Sequence, residues 1–461
     1  MLTVSGTYAS AFIYCTGNSN LNKTTSIACS ASGNTDERPF GINQLPLTDA
    51  AGSIIKTDYR NKTDETLCAQ TAGTDGIEPY ALAQIKAICD NPVAAGSKIR
   101  IMPDVHPGKI GVIGLSMTIS DRILPNLLGA DLGCGVLLAK LKCRPPEWQK
   151  LDRIIRERIP SGFSLRKEMH RQALHFDFSR LRCVKYVDVQ RARLSLGTLG
   201  SGNHFIEVDR DANGAFYLVI HSGSRYLGKA VTDYYLSAGQ KALAEQGYEN
   251  TIPHALTWLS GNLMADYIHD SFLVQEFAEQ NRQIMRDEIL RGMKWNALET
   301  ISCVHNFLEA LPAESTQKAS QANQNAAKCT PSFLLRKGAI SAKKGEPVVI
   351  PINMRDGILL GTGLGNPDWN ETAPHGAGRI FRRDAVKEHF TVSSFKAAMK
   401  GIYTSCISKE TLDEAPFAYR GIDEIKEAIK DSVRVCDMLR PVYNFKFDAA
   451  AHGKNKTYQR N

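Results

Sequence analysis

Five short stretches of this 461-residue sequence set metal-capable or nucleophilic side chains among glycines or small residues. They are Gly129 to Gly135, with Asp131 and Cys134; Gly200 to Glu207, with Asn203, His204 and Glu207; His221 to Arg225; Val304 to Asn306, with His305; and Pro374 to Arg379, with His375. Glycine lets backbone approach a ligand closely, and its N–H groups can cradle phosphate. Asp131 and Cys134 are three apart, so a turn or helix start puts carboxylate and thiol on one side. A thiolate with imidazoles and a carboxylate suits Mn, Fe, Co or Zn better than Mg, which prefers an oxygen shell. A lone buried Cys is usually a small hydrophobe, and a lone His is usually a satisfied core or surface residue. Five such stretches together argue against coincidence, but spacing alone does not make them converge.

The elements that must position these residues are short strands and a few helices. Apolar residues at Tyr80, Ala83, Ile85, Ile88 and Cys89 mark one helix face ending near Asn91-Pro92. Ile99 to Met102 reads as a strand, followed by a Gly-rich loop over Pro103 to Gly114 and a second strand, Leu115 to Ile119. Leu196 to Val208 and Tyr217 to Ile220 are strand-like. From Ala255 to Met293 the spacing is helical, with Trp258, Leu263, Tyr267, Phe272, Phe277 and Ile284 as apolar anchors. Val348 to Ile350 and Ile358 to Leu360 are strand candidates, and a helix is expected from Ile422 to Leu439. The class is α+β, with the chemistry-bearing residues at strand ends and in loops.

Net charge is +8, a mild basic excess that fits a polyanionic partner without requiring one. The 11 cysteines include no CxxC pair, which argues against a disulfide framework and for a reducing, cytoplasmic setting. No apolar run reaches the roughly 18 residues of a membrane span, and the N-terminus lacks the pattern of a secretion signal.

The ordered blocks MPDVHPGKIGVIG (102–114), GADLGCGV (129–136), LGSGNHFIEV (199–208), HSGSRYLG (221–228), VHN (304–306), RKGAISA (336–342), PINMRDG (351–357) and APHGAGR (373–379) resemble the signature blocks of the RtcB family of GTP-dependent RNA-splicing and RNA-repair ligases. The resemblance implies the RtcB-type α+β fold, with mixed β-sheet layers, surrounding helices and a central metal cleft. It implies two Mn2+ ions held by Asp131, Cys134, His204, His221 and His305, with the cysteine sulfur between them. It implies GTP as cofactor and His375 as the guanylated nucleophile, with Asp104 orienting it. The implied nucleotide pocket is Asn203, His204, Phe205, Ile206, Glu207, His305, Asn306, Pro351, Ile352, Asn353, Met354, His375, Gly376, Ala377, Gly378 and Lys446. Arg225, Arg355 and Arg379 are candidates for RNA or phosphate contact. The implied partner is RNA with a 3′-phosphate or 2′,3′-cyclic phosphate on one end and a 5′-hydroxyl on the other.

Two departures stand out. Residues 16–76 are rich in Asn, Thr, Ser, Ala and Gly and read as an insertion or flexible segment between an N-terminal strand in residues 1–15 and a catalytic domain over 77–446. A tail, 447–461, runs beyond Lys446. Two rival readings follow from the same residues: a metal-dependent phosphodiesterase or nuclease that needs neither His375 nor Lys446, and an RNA-binding protein without activity.

Overall fold

The computed structural model describes residues 58–60, 67–71, 77–248, 251–312 and 332–448. The expected strand in residues 1–15 and the tail from 449 onward lie outside the described residues.

Two sheets carry the architecture, built from β1 (Asp58–Arg60), β2 (Leu67–Thr71), β3 (Ile99–Pro107), β4 (Val112–Ile119), β5 (Gly135–Lys142), β6 (Phe205–Arg210), β7 (Phe216–Ser222), β8 (Asn296–Val304), β9 (Asn306–Ala310), β10 (Phe333–Lys337), β11 (Ala339–Ser341), β12 (Pro347–Asn353), β13 (Gly357–Gly363), β14 (Thr372–Pro374) and β15 (Val433–Phe445). The first sheet runs β1-β2-β3-β4-β10-β9. The second runs β8-β5-β7-β6-β15-β13-β12, with Tyr403–Thr404 paired onto β15, and β11 pairs with β14 separately. The helices that matter for the site are α1 (Pro79–Cys89), α2 (Trp148–Arg158), α3 (Arg225–Leu243), α4 (Gly261–Met293) and α5 (Ile422–Ala428). This is an α+β fold. No described helix is long and apolar enough to cross a membrane.

Period-two alternation explains how the second sheet serves two layers. Leu137, Ala139 and Leu141 of β5, Ile206 and Val208 of β6, and Leu218 and Ile220 of β7 pack with Leu151 and Ile155 of α2 and Met285 and Ile289 of α4. The intervening residues, Val136, Leu138, Tyr217 and Val219, form a second apolar layer with Val349, Ile358 and Leu439.

Several sequence expectations shift. The stretch Pro103 to Gly114 is not a loop throughout, because β3 extends to Pro107 and β4 starts at Val112. The register slips between Ile101 and His106, and that irregularity breaks the alternation around Asp104. Leu196 to His204 is loop, with strand only from Phe205. The helix expected over Ile422 to Leu439 stops at Ala428, and Val433 starts a 13-residue strand. Val433, Val435 and Leu439 fit a pleated strand laid against residues 357–363, and sheet pairing overrides the weak helical spacing. Pro441 sits at a register shift of this strand, where a missing N–H is tolerated. Within 16–76, the described residues form β1 and β2, and β2 pairs in parallel with β3 through Ala69↔Ile99 to Thr71↔Ile101. That part of the stretch extends the first sheet.

Candidate active site

Four of the metal-capable residues meet where β5, β6, β7 and β8 end. Cys134 follows the 3-10 turn Gly129–Asp131 and leads into β5; β5 pairs with β7 through Val136↔His221. His204 precedes Phe205, which stands opposite His221. His305 links β8 to β9, and its N–H donates to the Cys134 carbonyl at 2.9 Å. The side chains converge accordingly: Cys134 Sγ lies 3.4 Å from His204 Nε2 and 3.3 Å from His221 Nε2, and His221 Nε2 lies 3.3 Å from His305 Nε2. Donor atoms of Cys134, His221 and His305 all fall within 4.8 Å of one another.

The surroundings fit a cation. His204 Nδ1 is 2.7 Å from the Leu199 carbonyl and His221 Nδ1 is 3.1 Å from the Asn203 carbonyl, which assigns the proton to Nδ1 and leaves Nε2 as a lone pair. Burial, with Arg225 nearby, pushes His204 down to about 3, and burial holds His221 and His305 well below the usual imidazole range, so the rings stay neutral. Burial and the Asp131 charge push the Cys134 thiol up to about 12. A buried thiolate therefore needs a cation beside it. Asp131 is not drawn into the cluster. It remains exposed at the rim, where its charge reaches Cys134 and Lys337.

Helix α4 locks this arrangement from behind. Asn281, fully buried, donates to the Thr198 and Gly223 carbonyls, both at 3.1 Å. Arg282, also fully buried, donates to the Gly133 and Ser222 carbonyls, both at 2.8 Å. One turn of helix thus fixes the loops bearing Cys134, His204 and His221.

His375 follows β14 and stands beside the irregular part of β3. Asp104 Oδ2 accepts from His375 Nδ1 at 2.7 Å and from the His375 backbone N–H at 3.2 Å, and Asp104 is fully buried. The approach is possible because of Gly378 at φ +72°, where a Cβ would sit 2.6 Å from the Asp104 carbonyl oxygen. The ring centroids of His375 and His305 are 4.8 Å apart. His375 thereby has one nitrogen committed to a carboxylate and the other free, next to the Cys/His cluster.

A cleft with about 780 Å³ of space, counting its mouth, opens from these imidazoles. Of the sequence-derived pocket residues, Asn203, Phe205, Glu207, His305, Pro351 to Met354, His375 to Gly378 and Lys446 line it. Three do not. Ile206 alternates away into the aliphatic core. Asn306 accepts the Gly338 N–H at 2.8 Å and supports the turn behind the site. His204 belongs to the Cys134 cluster.

Sequence reasoning missed several wall residues: His106, Glu414, Tyr419 and Asn444. His106 was within reach, two residues from Asp104 in the same block. Glu414 carried no local signal, since its role comes from three cations about 30 or more residues away in sequence. It accepts from Lys446 Nζ at 2.9 Å, from Arg379 at 3.4 Å, from Arg383 and from the Tyr419 hydroxyl at 2.7 Å. Burial alone would raise this carboxyl, but Lys446, Arg383 and Arg379 overcome it and hold Glu414 well below the carboxylate range. Glu414→Gln leaves those cations facing a neutral amide. We expect a loss of about 3 kcal/mol, the scale for breaking a buried ion pair, read as a lower urea midpoint with unchanged slope. Because the folded carboxyl is held below its ordinary range, this contribution is complete at neutral pH and is lost only as acid protonates Glu414.

Residues 84–447 match the family described as tRNA-splicing ligase RtcB. The chain is 28% identical to the RNA-splicing ligase RtcB of Escherichia coli over 380 residues, covering 75% of this chain and 88% of that protein. It is 27% identical to the tRNA-splicing ligase RtcB of Nanoarchaeum equitans, over 70% of this chain and 82% of that protein. It is 26% identical to the RNA-splicing ligase RtcB of Mycobacterium tuberculosis, over 72% and 92%. A family match over most of the chain, spanning both the Cys134 cluster and the His375–Asp104 pair, shows that the chain belongs to the RtcB family of RNA-splicing ligases.

Proposed function

We propose that this protein joins an RNA 3′-phosphate, or a 2′,3′-cyclic phosphate opened to one, to a 5′-hydroxyl at the expense of GTP. The observation that carries this reading is the His375–Asp104 pair. Asp104 holds Nδ1–H and offsets the charge that appears on the ring when Nε2 attacks. In the first step His375 Nε2 bonds to the α-phosphorus of GTP and pyrophosphate leaves. In the second, an RNA 3′-phosphate oxygen takes the GMP and frees the imidazole. In the third, the 5′-hydroxyl attacks the activated 3′-phosphate, closing the phosphodiester and releasing GMP.

Cys134, His204, His221 and His305, with Asp131 from the rim, would hold two manganese ions. Bound there, the ions supply charge neutralisation for the triphosphate and the displaced oxygens. Glu207 offers acceptors to the guanine N1–H and 2-amino group, and Lys446 a donor to O6. Residues 77–446 form the catalytic domain in this reading, and the setting is the reducing cytoplasm.

RNA end chemistry tests the proposal. Purified protein with manganese and GTP should join a 3′-phosphate strand to a 5′-hydroxyl strand and leave a 3′-hydroxyl/5′-phosphate pair unjoined. The opposite preference would overturn the end assignment. Shortened RNA without joining would point to a phosphodiesterase.

A further inference from the structure

Strand β6 alternates, with Ile206 and Val208 in the aliphatic core, and Phe205 and Glu207 on the cleft. The same alternation places Asp209 on the Glu207 side, behind it and away from the opening. That side of the sheet is the apolar layer of Val136, Leu138, Tyr217, Val219, Ile358 and Leu439. Asp209 is fully buried, and no donor from elsewhere faces either carboxyl oxygen. The group within hydrogen-bonding reach is the Glu207 carboxyl, itself 3% exposed. Two carboxylates cannot share such a place ionised. Burial raises both, and Glu207 lifts Asp209 further, so the pair holds one proton.

The neighbours decide which residue holds it. Lys446 and the Asn444 Nδ2 donor act on Glu207 and favour its anion. Across from Asp209, the hydroxyl of Tyr217 is committed to Asp211 at 3.1 Å. The proton therefore sits on Asp209. A second feature points into the cleft: Asn444, 1% exposed, has no partner for Oδ1 and lies on the cleft wall, so it can accept from an incoming N–H.

We propose that Asp209 is a positioning residue for base selection. As a carboxylic acid it donates a hydrogen bond to Glu207, so that the carboxylate, held by Asp209 and Asn444, presents acceptors to a base edge bearing adjacent N–H donors. Guanine has that edge, whereas adenine presents an acceptor at N1. This rests on the proposed use of GTP.

The test compares wild type, Asp209→Asn and Asp209→Leu in covalent labelling by α-labelled GTP with manganese, with ATP as competitor. Asn keeps a neutral N–H donor of the same shape, so its KM for GTP should stay within about twofold. Leu removes the donor and should raise KM about tenfold, the scale of one hydrogen bond to a charged group, with maximal labelling rate and manganese content little changed. The Leu deficit should shrink as pH rises, because Glu207 without the Asp209 donor stays protonated to higher pH and ionises only in more basic solution. A merely structural role would not give that pH response. Should Leu fail to fold, as judged by melting, Asn decides alone: a tenfold rise in its KM overturns the inference. Unaffected Leu in a labelled background also overturns it. An unlabelled wild type removes the GTP reading and this inference with it.

Discussion

His375→Ala is expected to abolish covalent transfer of GMP to the protein, by at least about 1,000-fold, while manganese binding stays near wild type. The magnitude follows from the loss of a nucleophile without a substitute. Among the neighbouring imidazoles, His221 and His204 have their Nδ1 atoms on backbone carbonyls and their Nε2 atoms on Cys134, and His305 abuts His221. His106 has Nδ1 on the Asp104 carbonyl at 2.9 Å, and burial pushes it down to about 4. None is paired with a buried carboxylate as His375 is with Asp104. The variant should also regain part of its joining activity when given RNA already carrying GMP at its 3′ end, since the first step is bypassed. Failure on that substrate would mean that His375 acts in later steps as well.

Cys134→Ala should have the complementary effect, with metal lost and the nucleophile left in place. Outer partners of metal ligands commonly contribute ~10–100-fold in affinity, and a direct thiolate ligand contributes at least as much. The sulfur is the common neighbour of His204 and His221 among the residues that would hold the manganese, so elemental analysis should show less than about a tenth of the wild-type content. Cys134→Ser should lose metal less severely. His254→Ala, on an exposed 3-10 turn outside the cluster, should leave the content unchanged. Wild-type manganese in Cys134→Ala would remove the sulfur from the site.

The contrast between these variants shows what the sequence carries. Residues in glycine-flanked blocks were legible because close backbone approach needs particular residue types, as Gly378 against Asp104 illustrates. The strand cores Val348 to Ile350 and Ile358 to Leu360, which the structure pairs within 347–353 and 357–363, were legible from their apolar runs. Asn281 and Arg282 were not, because inside α4 they look like ordinary polar positions of a long helix. Their role exists only once four loop carbonyls have been folded against that turn. Asp209 is hidden for a related reason: its neighbours come from β7, β15 and the stretch ending at Lys446, and the apolar layer around it is assembled by the sheet. The strand from Val433 to Phe445 shows the same limit at the level of fold, since pairing with 357–363 along its first half and with 206–210 along its second, not local propensity, decided its conformation.

The central claim is that His375 carries guanylate. Wild-type protein incubated with GTP and manganese, then digested and analysed by mass spectrometry under non-acidic conditions, tests it directly. The account predicts one GMP adduct, on the peptide containing His375, that is lost on brief acid treatment and discharged by RNA ending in a 3′-phosphate. An adduct on any other residue, or full RNA joining with no adduct at all, would contradict it.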